Sequence, residues 1–183
     1  MQVDEKTLLS LLADEKTQQK AFSVFVSQYS ERLYWQIRRM VLSHEDANDI
    51  LQNTFIKAWQ GLSTFEGRSQ LSSWLYRIAV NESLDFLRKK RQQLSLSDTE
   101  GEGAGVANQL MADQYFDGDE TAAQLQEAIS QLPDVQRTVF QLKYFENMKY
   151  TEISDILQTS VGALKASYHI AVKKIEQFFE QHD

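Results

Sequence analysis

The chain has 183 residues, 42% hydrophobic and 25% charged, a formal charge of −7 and no cysteine. That size admits one ordinary domain or two small ones, and the balance excludes both a disordered polymer and a membrane protein, since no apolar run approaches the ~18 residues of a spanning helix. The absence of thiols excludes disulfides, sulfur nucleophiles and cysteine-ligated zinc. Met1-Gln2-Val3-Asp4-Glu5-Lys6 has no basic start leading into an apolar stretch, so a cytoplasmic location is expected. One proline and seven glycines are few helix breakers, and an all-α fold is expected.

The first predicted helix carries Ala21, Phe22, Phe25, Val26, Tyr29, Leu33, Ile37, Met40 and Val41 at spacings of three and four. Ser43 caps the next, with Glu45 and Asp46 in its first turn and Ala47, Ile50, Leu51, Phe55, Ala58, Trp59 and Leu62 on one face. Gly61, Ser63, Thr64, Glu66 and Gly67 interrupt the pattern. A third helix follows from Leu71 through Leu87 and ends in Arg88-Lys89-Lys90-Arg91.

Charge is distributed unevenly. Residues 1–92 hold thirteen Lys and Arg against eleven Asp and Glu, whereas residues 93–119 hold six acids, no base and four of the seven glycines. The middle stretch is expected to be a flexible acidic linker between two small helical domains, 1–92 and 120–183.

The last segment begins with Ala122, Leu125, Ala128, Ile129 and Leu132, then breaks at Pro133, which suits the first turn of a new helix carrying Val139, Phe140, Leu142, Tyr144 and Phe145. Ile153, Ile156 and Leu157 precede a polar turn, Gln158-Thr159-Ser160. Val161, Leu164, Tyr168, Ala171, Val172 and Ile175 follow. Two helices joined so closely form a helix-turn-helix, although the same pattern also describes an ordinary bundle corner. With the apolar positions inward, Gly162, Ala163, Lys165, Ala166, Ser167, His169, Lys173 and Lys174 face a partner. Small residues near the helix start admit base edges, and lysines neutralise phosphate.

The basic run after Arg77, together with Phe65, Trp74 and Tyr76, suits single strands, where aromatics stack on bases and cations follow the backbone. The alternative is that Trp74 is core and the cations complement the helix C-terminus. Catalysis finds little support. His44, His169 and His182 form no metal-binding pair spacing, and Gly101-Glu102-Gly103-Ala104-Gly105 lacks the strand, helix and lysine of a phosphate loop, so no enzyme, metal, cofactor or small-molecule substrate is expected.

Three blocks in one order resemble the extracytoplasmic-function (ECF) sigma factors of bacterial RNA polymerase, in the sigma-70 family. Asp46-Ala47-Asn48-Asp49-Ile50-Leu51-Gln52-Asn53-Thr54-Phe55-Ile56-Lys57-Ala58-Trp59 is similar to the family helix that docks on the clamp helices of the largest polymerase subunit. The resemblance implies core-polymerase contacts at Asp49, Gln52, Asn53, Phe55 and Trp59. Phe65-Glu66-Gly67, Leu71 to Asn81 and Asp85 to Arg88 resemble the segment that recognises and melts the minus-ten element. Arg68, Ser69, Leu71, Ser73, Trp74, Arg77, Asn81, Asp85, Arg88 and Lys89 are the implied contacts, with the loop from Gly67 to Ser72 holding a flipped base. Leu132 to Phe145, Tyr150-Thr151-Glu152-Ile153 and Ser160 to Lys165 are similar to the minus-35 reader. That likeness implies contacts from Thr151, Ser160, Val161, Gly162, Ala163, Lys165, Ala166, Ser167, His169 and Lys173. Where family members commonly carry a turn glycine and outward arginines, this chain has Gln158, Ser167, Ile170 and Val172.

The resemblance implies a bacterial factor that binds core RNA polymerase, including the flap of the second-largest subunit, directs it to promoter DNA, and is held by an anti-sigma partner, often membrane-anchored. Its 27-residue linker extends to about 90 Å. That exceeds the roughly 70 Å between two promoter elements two duplex turns apart. Its acidity suits a path built for RNA, with Leu110, Met111, Tyr115 and Phe116 as apolar anchors. Two rivals stand beside this expectation: a stand-alone helix-turn-helix regulator, which would bind duplex tightly without polymerase, and an adapter that binds protein and no DNA.

Overall fold

The computed structural model describes residues 2–96, 106–114 and 116–182 and, among these, is helical with no strand. The elements are α1 (Glu5–Ala13), α2 (Gln18–Val41), α3 (His44–Gly61), a 3-10 turn (Leu62–Thr64), α4 (Leu71–Leu96), α5 (Val106–Met111), α6 (Glu120–Ser130), α7 (Asp134–Tyr144), α8 (Tyr150–Leu157) and α9 (Val161–His182). They divide into two compact units, one running to Ser83 and including Asp155–Leu157, the other from Leu84 to Ser154 and from Gln158 onward.

In the first unit α2 packs against α1 and α3. Its centre is apolar: Phe25, Leu33, Ile37, Ala47, Ala58, Leu71, Leu75, Ala79 and Val80 are fully buried. Phe22, Phe25, Phe55 and Trp59 meet edge to face or tilted, the arrangement that sets a ring's positive edge against a negative face. Ser43 accepts the Asp46 amide at 3.3 Å, as its position before two acids suggests. α2 stops at Leu42, whose left-handed backbone (φ 64°) returns its amide to the Arg38 carbonyl without glycine.

Sequence periodicity gives no sign of α1. It is nine residues long, and its leucines at 8, 9, 11 and 12 span little more than one turn, but Leu8 and Leu12 are buried and Asp4 caps it by accepting the Thr7 amide at 3.0 Å. The Thr7 hydroxyl, which donates to Asp4 at 2.5 Å, and then the Thr7 amide hold the Asp4 carboxyl below its ordinary pKa. Glu5 on α1 accepts the backbone amide of Leu71, satisfying a free donor at the start of α4 across 66 residues of sequence.

In the second unit α7 and α6 pack on α9. The core comprises Ala128, Ile129, Leu132, Phe140, Ala171, Ile175 and Phe178. Pro133 stands at the N-cap of α7, one place before the first turn expected for it. Arg137 donates to the carbonyls of Ser130 and Leu132, both at 3.0 Å, and so satisfies the end of α6. Burial lowers its pKa, opposed by nearby Asp134.

Two parts of the stretch expected to be linker are helical. Residues 93–96 continue α4, and α5 packs against α6 with Leu110 only 4% exposed. Local composition explains both, because Gln92 to Leu96 and Val106 to Met111 contain no glycine or proline. Leu110 is thereby committed to packing in its own unit rather than left as a free apolar anchor, and Met111 is exposed. Residues 97–105 and Tyr115 lie outside the described residues.

Candidate functional site

Three surfaces correspond to the three sequence blocks. The first is the outer face of α3. Asp49, Gln52 and Asn53 are exposed, and Trp59 is 43% exposed with its ring edge on Phe22 at 4.9 Å. Phe55 does not belong to this face: it is 8% exposed and meets Phe22 and Phe25 at 6.4 and 6.1 Å. Phe55 lies four positions after half-buried Leu51 and three before fully buried Ala58, and so shares their inward stripe. Ile56 takes the outward place and is 54% exposed. The heptad position of Ile56, between Asn53 and Trp59 on the polar side, was the available signal for it. The adjacent Lys57 pairs with Glu82 of α4, tying the two helices together.

The second surface is the loop after α3 with the outer side of α4. Gly67 has φ +67°, a region open to glycine at no steric cost, and no atom crowds the place its Cβ would occupy. Arg68 is exposed and pairs with Glu66 at 2.6 Å. Ser69, Trp74, Arg77 and Asp85 are half-buried, and Asn81, Arg88 and Lys89 are exposed. Trp74 lies against Phe65 with centroids 5.0 Å apart, and a Cβ on Gly61 would come within 3.1 Å of its ring. The indole therefore forms the floor of the loop, between the two readings available from sequence. Leu71 and Ser73 leave the candidate surface, because both are buried where α4 begins. Tyr76 is buried too and cannot stack on a base. Asp85 and Arg88 form an exposed i,i+3 ion pair at 2.7 Å, the weak kind expected on a helix surface.

The third surface is the helix-turn-helix α8–α9. Lys149 donates its amide to Glu152 at 2.7 Å, which starts α8. Gln158 ends it with φ 52°, a left-handed conformation that glycine adopts most readily. Ser154 Oγ donates to the Thr159 carbonyl at 2.7 Å, and Ser160 accepts the Ala163 amide at 3.3 Å, closing the turn from both sides. Leu164, Ala171 and Ile175 are buried, so α9 has the rotation expected from its apolar spacing. Thr151, Ser160, Gly162, Ala163, Lys165, Ala166, His169 and Lys173 are exposed, while Val161 and Ser167 are half-buried. Lys143 and Lys165 stand 5.0 and 5.8 Å from the Tyr150 ring centre. Burial, with Tyr150 and Tyr144 near, pushes the Tyr168 phenol up.

Two family patterns match the chain where these surfaces lie: Sigma-70 region 2 at residues 25–93 and Sigma-70, region 4 at residues 122–175. The ECF RNA polymerase sigma factor SigW of Bacillus subtilis is 35% identical over 162 residues, covering 85% of this chain and 87% of the relative. The chain belongs to the ECF sigma factors of the sigma-70 family. A second relative, the RNA polymerase sigma-H factor of Pseudomonas aeruginosa, is 28% identical over 179 residues, covering 89% of this chain and 88% of its own.

The fold of this ECF sigma factor is shared by solved structures. CnrH, solved in complex with the cytosolic domain of CnrY, has a TM-score of 0.74 at 21% identity and covers 98% of this chain and 99% of its own. The sigma factor RpoE from Bartonella quintana, solved with the anti-sigma factor NepR, has a TM-score of 0.69 at 23% identity over 88% of this chain and 98% of its own. As an ECF sigma factor the protein directs RNA polymerase to promoters. Among the described residues no helix is long and apolar enough to cross a membrane, and no group of three or more His, Cys, Asp or Glu is arranged to hold a metal ion.

Proposed function

We propose that the outer face of α3 docks this sigma factor on the clamp helices of core RNA polymerase, that the loop over Trp74 and the outer side of α4 hold the melted minus-ten strand, and that α9 enters the major groove of the minus-35 element. The observation that carries the reading is the exposed row Asp49, Gln52, Asn53, Ile56 and Trp59, polar residues around an apolar centre on one rigid helix. Such a patch has the composition of a protein interface rather than of a nucleic-acid groove.

The DNA surfaces carry few cations, and the chain as a whole is at −7. Weak phosphate attraction suits a protein that reaches promoter DNA as part of a larger complex, because duplex affinity scales with the number of phosphates neutralised. A stand-alone regulator would need a denser basic face. The C-terminal unit meets the flap of the second-largest subunit, and the protein acts in the bacterial cytoplasm. An anti-sigma factor holds it before induction; the solved relatives bound to CnrY and to NepR support such a partner.

The test is co-elution with core RNA polymerase at physiological salt. The wild-type chain is expected to bind and the double variant Asp49→Arg, Gln52→Ala to be lost from the complex. Equal retention of the double variant would overturn the α3 assignment, and tight duplex binding by the free chain without polymerase would favour the stand-alone regulator.

A further inference from the structure

α9 presents outward side chains of an unusual kind for a helix held to enter a DNA groove. It contains no arginine, and no carboxylate occurs before Glu176. Its exposed cations are Lys165, Lys173 and Lys174. Lysine is a compact point charge suited to phosphate, whereas the bidentate pairing that reads guanine is made best by arginine. Direct readout through a guanidinium fork is therefore closed to α9.

One flank of its outward surface is apolar instead. Ala163, Ala166 and Ile170 lie at i, i+3 and i+7, on one flank of the exposed side. Ile170 is 43% exposed although Leu164, Ala171 and Ile175 fill the core on the opposite side. Gly162 and Ala163 keep the helix start narrow, so nothing prevents its close approach to a base-pair edge. From residue 163 to 170 the helix rises about 10 Å, which spans about three base-pair steps. The apolar feature of the major groove is the C5 methyl of thymine. Lysines flanking an apolar row, with no nearby carboxylate on the helix, complement a methyl-lined groove between two phosphate backbones.

We infer that α9 reads its promoter element through thymine methyl groups, with Ala163, Ala166 and Ile170 as the contacting side chains and Ile170 as the main specificity determinant. This rests on the groove-entering role of α9 proposed above. An upstream element with thymines at about three neighbouring steps follows. Removing one buried methyl should weaken recognition about fourfold.

The experiment uses holoenzyme reconstituted from core RNA polymerase and the full chain. Random duplex fragments that support initiation are selected, and the enriched upstream element is resynthesised with deoxyuridine replacing each thymine in turn. The expected result is enrichment of thymine, a loss of about fourfold per substituted thymine, and an Ile170→Ala holoenzyme that no longer distinguishes deoxyuridine from thymine at one position. Ile170→Arg should move the preference at that position to guanine. Because Ile170 is half out of the core, both variants should keep the wild-type urea midpoint. If transcription is robust but the element lacks thymine, or if deoxyuridine and Ile170→Ala both leave it unchanged, the methyl reading is overturned while the promoter role stands. If no fragment supports initiation with the wild-type chain, the promoter-reading role of α9 falls and the inference falls with it.

Discussion

Phe55→Ala and Ile56→Ala separate packing from binding at adjacent positions of α3. Phe55 is 8% exposed and sets its ring edge to face against Phe22 (6.4 Å, 87°) and Phe25 (6.1 Å, 88°). Truncating a core phenylalanine costs about 3–5 kcal/mol through lost transfer energy and a residual cavity. A unit of this size holds roughly 4–12 kcal/mol in total. A loss of about 4 kcal/mol should lower its melting temperature by about 20 °C or more. Ile56, 54% exposed, should change stability by less than about 0.5 kcal/mol on truncation, yet weaken core-polymerase binding. All three tryptophans, Trp35, Trp59 and Trp74, lie in the first unit, so their fluorescence during urea unfolding follows that unit alone. A Phe55→Ala protein with the wild-type midpoint and lost polymerase binding would refute the assignment of Phe55 to the core.

Three further outcomes are expected. Glu5→Ala should destabilise the first unit by about 1.5 kcal/mol in urea titration, since it leaves the Leu71 amide without its charged acceptor, and Glu5→Gln should recover at least half of that; equal losses would mean the bond contributes little. Asp119 accepts the Ala122 amide at 2.8 Å, so Asp119→Ala should cost the second unit about 1 kcal/mol, read by the circular dichroism of its thermal transition. Tyr29 and Tyr168 are both pushed above the ordinary tyrosine value of 10.0, chiefly by burial, so the folded state holds their protons more tightly. Their contribution to stability is therefore complete below that value and is lost as pH rises through the folded one; in tyrosinate absorbance these two should ionise after the exposed phenols, and simultaneous ionisation of all tyrosines below the unfolding pH would contradict it.

The Gln158 turn supplies one more expectation. Its φ of 52° costs a side chain about 1 kcal/mol relative to glycine, part of which glycine gives back through the freedom of the unfolded chain. Gln158→Gly should thus raise the stability of the second unit by up to about 1 kcal/mol, measured as the urea midpoint of its circular dichroism; a clear loss would show that the glutamine side chain contributes more than its backbone strain.

Long helices were legible in the sequence because an amphipathic stripe repeated over many turns leaves only one way to bury it. α2, α3, the body of α4 and α9 follow from that spacing, as do the Ser43 cap and the polar turn from Gln158 to Ser160, whose signals are local. The order of the three blocks was equally legible, and with it the family. Which members of a stripe reach solvent was not. Phe55, Leu71 and Ser73 sit inside motifs whose other residues are exposed, and their burial depends on neighbours distant in sequence: Phe22 and Phe25 for the first, the entry of α4 beside Glu5 for the others. α1 and α5 are too short to be stable or recognisable alone; they are helical because Leu8, Leu12 and Leu110 find apolar partners in the folded units. Sequence by itself determined where helices run and which surfaces bear chemistry; only tertiary packing decided which side chains those surfaces present, because burial is a property of contacts between elements and not of the spacing within one.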